Sequence, residues 1–281
     1  MPDASFKERD LLSGQVELAH FNIEMHRGDV MAKKNDRTII DLKRRLIDAI
    51  RVLSAEGVLD GSGHLSAKIP GTETFLINPR YAGILADPVD LCIVDFSGKR
   101  IAGREPIPLE TPIHSVIYRT NADVGSVLHC HPRFSILIGL QESGLVPFNR
   151  DARMFADGVP VFPNSAGINS EELAQQMVEA MGDHYAVFLK GHGIVVSERT
   201  IEGNAVSAIR LERASRDQVL LSSFSEPKPL TDGARGRIRS RMDHPYRIWP
   251  YLLYQHGIRS RKEAKRLTRS MMKSIWPDEV R

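Results

Sequence analysis

The stretch ETPIHSVIYRTNADVGSVLHCHP, residues 110–132, decides the fold prediction because it joins a helix to a buried strand. Glu110, His114 and Tyr118 recur every four residues, so they share one face of the predicted helix. The apolar segment SVLHCHP that follows predicts a strand carrying His129 and His131. Residues i and i+2 of a strand project from the same face, so both imidazoles can reach one metal ion.

A third histidine, His192, lies between two glycines in LKGHGIVV, residues 189–196, where two apolar strands fold back on each other. Three histidines with an open position are a common arrangement for a catalytic metal. A tight turn with an incidental histidine is the alternative. Glu110 is either a partner of the helix dipole or an acid/base group beside the metal. Cys130, between the two strand histidines, should point away from them.

Hairpins and helices flank this stretch on both sides. The segment 61–77 predicts two strands around a turn, and DLCIVDFSGKRI, residues 90–101, predicts a hairpin. Amphipathic helices are predicted before and after them, one of them capped by Ser170. The mixture lacks a regular βαβ rhythm, which favours an α/β fold with a mixed sheet flanked by helices.

Composition indicates an ordinary globular protein: the 281 residues are 42% hydrophobic and 26% charged, with a net charge of +3. We expect an N-terminal arm (1–38), a metal-binding catalytic domain (39–224), and a linker with C-terminal helices (225–281). We expect neither a signal peptide nor a transmembrane helix, since no run of eighteen apolar residues occurs, and the two cysteines suit a reducing cytoplasm. The basic segment 235–273 contains no nucleic-acid-binding motif, so we expect neither a nucleic-acid nor a membrane partner.

The ordered set formed by Glu110, the HxH pair and the GHG turn resembles the class II aldolase/adducin family over about two thirds of the chain. The resemblance implies a three-layer α/β/α sandwich on a mixed, largely antiparallel sheet, usually assembled as a homotetramer with sites at subunit interfaces. It implies His129, His131 and His192 as metal ligands and Glu110 as the catalytic glutamate. The cofactor expected is a divalent metal, zinc in the first place, with iron or manganese as alternatives.

The sequence departs from the sugar-phosphate members of that family. Those members hold the phosphate with a GN[IL]S loop and a serine pair before the glutamate, whereas this chain has GHLS at 63–66 and Pro108-Leu109. It is similar instead to a subgroup acting on unphosphorylated, often aromatic, acids. We therefore expect a metal-dependent lyase that decarboxylates such an acid or cleaves it by a retro-aldol reaction. The alternatives are a non-haem iron(II) oxygenase of a hydroxyphenyl acid, a sugar-phosphate aldolase, and a non-catalytic scaffold of adducin type.

Six residues are candidates for binding this small-molecule substrate. His64 could contact a carboxylate or phenolate, and His114 could orient Glu110 or contact the substrate. Guanidinium groups bind carboxylates bidentately, which makes three arginines candidates for a clamp. Tyr251 could cover the active site of a neighbouring subunit and donate a proton. The arginines are Arg80, Arg150 and Arg153.

Overall fold

The computed structural model describes residues 36–80, 85–230 and 247–275. The described residues from Lys43 onwards form one compact unit. Most of the predicted N-terminal arm lies outside the described residues. Among the described helices, none is long and apolar enough to cross a bilayer.

Eight strands form one sheet in the order β4-β3-β2-β1-β5-β8-β7-β6. Every neighbouring pair is antiparallel except β6 and β7, which are parallel, so the predicted mixed, largely antiparallel sheet is confirmed. The strands are β1 (His64–Lys68), β2 (Thr74–Ile77), β3 (Cys92–Asp95), β4 (Arg100–Ala102), β5 (Ser126–Cys130), β6 (Val161–Phe162), β7 (Ala186–Leu189) and β8 (Gly193–Glu198).

Seven helices and one short 3-10 helix complete the described structure. Helix α1 covers residues 36–55, and Gly57, with φ of +72°, follows its end. The other helices are α2 (Thr111–Thr120), α3 (Arg133–Ile138), α4 (Glu171–Met181), α5 (Ile201–Ser222), α6 (Trp249–Gln255) and α7 (Arg261–Ile275), with the 3-10 helix at Ala152–Phe155.

The helices cover both faces of the sheet, which gives the predicted three layers. Helices α2 and α4 contact each other and pack on β5, β6 and β7, whereas α3 and α5 pack on β5, β7 and β8. Successive strand residues point to opposite faces of the sheet. Val127 and Val195 point to the face covered by α2 and α4, where they join the hydrophobic core. His129 shares the face of Val127, so it points towards the layer of α2.

The predicted hairpins place the functional residues at one end of the sheet. In the antiparallel pairing of β1 with β5, His64 lies opposite His129, and β8 begins beside Cys130. Helix α2 starts directly after Glu110, with Pro112 in its first turn. Three strands and one helix therefore meet where the histidines and Glu110 lie.

Candidate metal centre

The three predicted histidines and Glu110 converge on one point. One ligand atom from each of the four residues lies within 4.8 Å of all the others. The Nε2 atoms of His129 and His131 are 3.0 Å apart, and His129 Nε2 lies 3.1 Å from Glu110 Oε2. His192 stacks on His131, and its Nε2 is 3.9 Å from the same carboxylate oxygen.

Hydrogen bonds at Nδ1 fix the tautomers of two of these rings. His129 Nδ1 donates to the carbonyl oxygen of Ile194 at 3.0 Å, and His131 Nδ1 donates to Asp60 Oδ2 at 3.1 Å. Both acceptors lack hydrogens, so the ring protons lie on Nδ1 and the Nε2 lone pairs are free. This is the usual arrangement of metal-binding histidines.

The donor set fits a divalent cation. Two unprotonated Nε2 atoms at 3.0 Å repel each other unless a positive charge lies between them. Nitrogens that share a tetrahedral zinc ion lie about 3.3 Å apart, close to this separation. Burial, and after it the neighbouring His129 ring, lowers the pKa of both His131 and His192, which favours the neutral imidazoles that a metal requires.

The Glu110 carboxylate is held from two sides. Its Oε1 accepts a hydrogen bond from the Ile168 amide at 2.7 Å, while Oε2 faces the histidines. Burial opposes ionisation, but the neighbouring His129 and His64 rings and the hydrogen bond from the Ile168 amide outweigh it and lower the pKa of Glu110 well below its ordinary value. Glu110 is therefore a carboxylate, positioned beside the three imidazoles.

The predicted substrate residues His64 and His114 also lie at this site, but both are buried, at 2% and 0% exposure. Their rings are joined by a hydrogen bond of 2.6 Å between His64 Nδ1 and His114 Nε2. His64 Nε2 lies 3.9 Å from Glu110 Oε2. Burial lowers the pKa of His64 to about 4 and that of His114 well below its ordinary value, so both rings are neutral.

The other predicted substrate residues are not among the converging ligand groups. Arg80 follows β2, and its amide donates to Pro106 in the segment that leads to Glu110. Arg150 and Tyr251 are exposed, and Arg153 lies on the 3-10 helix. Their substrate contacts stay predictions. Cys130 is buried and is not one of the converging ligands, as its place between the histidines predicts.

Two contributors to the site were missed in the sequence. Asp60 reaches His131 across 71 positions of the chain, and Ser66 joins His114 to Tyr118. The DGSG segment at 60–63 indicates a turn in which Asp60 accepts from the Gly63 amide, but no local pattern reveals its distant partner.

The glycines beside His192 meet the requirement for close backbone approach. Gly191 has φ of +66°, a left-handed conformation that a side chain strains. A Cβ at Gly193 would overlap the carbonyl oxygen of Cys130. Glycine at both positions lets the turn bring His192 against the end of β5.

Comparison with known proteins gives the family. The profile described as "Class II Aldolase and Adducin N-terminal domain" matches residues 44–219. The chain is 31% identical over 179 residues to 3,4-dihydroxyphthalate decarboxylase of Arthrobacter keyseri, covering 58% of this chain and 72% of that protein. It is 27% identical to 5-methylthioribulose-1-phosphate/5-deoxyribulose-1-phosphate aldolase of Rhodospirillum rubrum, over 68% of this chain and 86% of the relative.

A solved structure supports the fold. The aldolase II superfamily protein from Pseudomonas syringae superposes with a TM-score of 0.72 at 22% identity, covering 79% of this chain and 94% of that one. With the profile match over residues 44–219, the conclusion follows that this chain belongs to the class II aldolase and adducin family.

Proposed function

We propose that this protein is a metal-dependent carbon–carbon lyase that decarboxylates an unphosphorylated aromatic hydroxy acid. The observation that carries the proposal is the convergence of three imidazoles and the Glu110 carboxylate within 4.8 Å. The similarity to 3,4-dihydroxyphthalate decarboxylase supports both the lyase reaction and the aromatic acid class.

Side-chain contacts argue against a phosphate substrate. The hydroxyl of Ser66 is buried and bonded to His114 and Tyr118, so it is not available to a phosphate. The residues before Glu110 are Pro108 and Leu109, which offer no side-chain donor. A phosphate dianion requires several such donors, whereas a carboxylate needs a single guanidinium. We propose Arg80, Arg150 and Arg153 as the candidates for that contact.

His129, His131 and His192 would hold the metal. When bound there, a divalent cation would supply a Lewis acid that stabilises the negative charge developing on the substrate. Asp60 and the Ile194 carbonyl keep the His131 and His129 rings in the orientation and tautomer that this requires.

Glu110 is the proposed proton carrier. As a carboxylate it removes the proton from a ring hydroxyl of the substrate, and it returns this proton to the ring carbon that bears the carboxylate. The carbon–carbon bond then breaks, carbon dioxide leaves, and its bonding electron pair stays on the ring. The resulting phenolate takes one proton from solvent, so the net reaction consumes one proton and releases one carbon dioxide.

The first test is metal content and carbon dioxide release, with protein purified without air. We expect one zinc or manganese ion per chain and release of carbon dioxide from 3,4-dihydroxyphthalate. His131→Ala should lose the metal, and Glu110→Gln should keep the metal while kcat falls at least about a hundredfold. His184→Ala is the control, because His184 lies outside the cluster and bonds the carbonyls of Met181 and Asp157.

The same experiment separates the alternatives. Bound iron together with oxygen consumption would replace the lyase by the oxygenase, because decarboxylation needs no oxygen. Absence of metal from the wild type after reconstitution would contradict a catalytic role and support the scaffold.

We also propose that the protein is a cytoplasmic homotetramer. The resemblance to the family supports the assembly, and the free cysteines Cys92 and Cys130 are consistent with a reducing compartment. Exposed apolar side chains such as Leu137, Leu140 and Tyr251 are candidates for subunit contacts. Light scattering after size-exclusion chromatography measures the mass directly, and a monomer would contradict the assembly.

A further inference from the structure

A line of polar side chains is buried between strand β1 and helix α2, behind Glu110. Tyr118 OH lies 2.7 Å from Ser66 Oγ, and Ser66 Oγ lies 2.6 Å from His114 Nδ1. His114 Nε2 continues the line to His64 Nδ1 at 2.6 Å. All four residues are between 0% and 2% exposed. We call Tyr118, Ser66, His114 and His64 the buried relay.

Because each hydrogen bond in the relay has one donor and one acceptor, choosing the donor in one bond determines the donors in the bonds that follow. Burial raises the pKa of Tyr118, so its phenol stays protonated, and we assign Ser66 Oγ at 2.7 Å as the acceptor of its proton. If Ser66 then donates to His114 Nδ1, the His114 proton lies on Nε2 and is donated to His64 Nδ1. The His64 proton must then lie on Nε2.

The competing direction requires Ser66 to donate to the carbonyl oxygen of Val127, which is 3.4 Å away. That distance is long for an O–H donor, while the Ser66–His114 distance of 2.6 Å is short. The competing direction would also turn the lone pair of His64 Nε2 towards Glu110 Oε2 at 3.9 Å. A lone pair facing a carboxylate is repulsive, whereas an N–H in that place is attractive.

The relay is not a path for protons to solvent. Its far end is Tyr118, which is 2% exposed, stacked on Phe96 and packed at a tilt against Phe75. A chain that ends in the core cannot deliver one new proton in every turnover. Its chemical effect is to select a tautomer at its other end, beside the catalytic carboxylate.

The geometry points to Tyr118, Ser66 and His114 as positioning residues that fix His64 in the tautomer presenting Nε2–H to the Glu110 carboxylate. This rests on the proposed function only in so far as Glu110 is the proton carrier. The fixed N–H holds Glu110 Oε2 in its place beside His129, so that proton transfer starts from one defined carboxylate orientation.

Nitrogen NMR of histidine-labelled, zinc-loaded protein tests the tautomer directly, with magic-angle spinning and assignment by a His64→Gln sample. We expect the wild type to hold the His64 proton on Nε2, and Ser66→Ala to give a mixture of both tautomers. Ser126→Ala is the matched control, because Ser126 is an equally buried serine that bonds the Ser66 carbonyl from the neighbouring strand. A wild-type proton on Nδ1, or an unchanged tautomer in Ser66→Ala, overturns the inference.

Kinetics give the second readout. Losing the two hydrogen bonds that Ser66 makes in the relay should lower kcat of Ser66→Ala about tenfold, with KM and zinc content changed less than about twofold. Ser126→Ala should change kcat less than about twofold, although it also loses one buried hydrogen bond. Equal losses in the two variants would show a merely structural effect. If the wild type releases no carbon dioxide, the proposed function fails while the NMR comparison still decides the relay.

Discussion

Asp60 contacts the candidate metal site through the His131 ring. Its Oδ1 accepts from the amides of Ser62 and Gly63, and its Oδ2 accepts from His131 Nδ1 at 3.1 Å. Burial opposes ionisation of this carboxyl, but the neighbouring His131 ring and the hydrogen bonds from the two amides outweigh it and lower the pKa of Asp60. The resulting carboxylate orients the imidazole and increases its basicity.

We therefore expect Asp60→Asn to weaken metal binding by about ten- to a hundredfold, without unfolding the protein. Asparagine keeps an oxygen for the loop amides but removes the charge that faces His131. A competition titration of metal-free protein with a chelator of known affinity measures the change. Asp123→Asn is the control, since Asp123 pairs with Arg199 in solvent. Affinities of the two variants within about twofold of each other would rule out this role for Asp60.

Helix α3 depends on a cap supplied by another helix. Its N-cap residue is Pro132, whose side chain cannot accept a hydrogen bond. Glu212 of α5 provides the acceptors instead, at 3.0 Å from the Phe134 amide, 2.8 Å from the Ser135 amide and 2.7 Å from the Ser135 hydroxyl. This contact holds the segment directly after His131 against α5.

Glu212→Ala should lower the free energy of unfolding by about 1–2 kcal/mol, because three donors lose their acceptor. Glu179→Ala is matched to it: Glu179 is an exposed residue of α4, so the same change in helix propensity occurs without the cap. Urea denaturation of metal-free protein compares them. A loss in Glu212→Ala no larger than that in Glu179→Ala would refute the cap.

The elements themselves follow from local sequence, and the contacts between them do not. The alternation in SVLHCHP predicts a strand with two histidines on one face, and β5 has this form. The four-residue spacing of Glu110, His114 and Tyr118 predicts their shared face. The partners that give these residues their roles, Asp60 and Ser66, lie about fifty or more positions away, where periodicity carries no information.

At the scale of the whole molecule, ion pairs join the C-terminal helices to helix α1. Glu56, after the end of α1, accepts from Arg213 of α5 at 2.7 Å and from His256, directly after α6, at 2.8 Å. Asp48 of α1 forms a bidentate ion pair with the Arg259 guanidinium, in which the shortest N–O distance is 2.7 Å. These long-range contacts could not be read from the linker-like composition of the segment after residue 224, and the predicted limits 1–38, 39–224 and 225–281 stay a proposal.

The Asp48–Arg259 pair should give stability a characteristic dependence on pH. Asp48 is 8% exposed, and burial raises its pKa above the ordinary 3.8 despite Arg259. Arg259→Met should cost about 2 kcal/mol at pH 7.5, because it leaves a buried carboxylate without its main partner. In Arg259→Met the pKa of Asp48 rises further, so the folded variant binds this proton more readily than its unfolded chain does. The deficit in the free energy of unfolding relative to the wild type should therefore shrink towards pH 5. Urea denaturation of metal-free protein at both pH values measures this, with Asp48→Asn/Arg259→Met as the control whose deficit stays constant. A deficit in Arg259→Met that is constant or grows on acidification would contradict the argument.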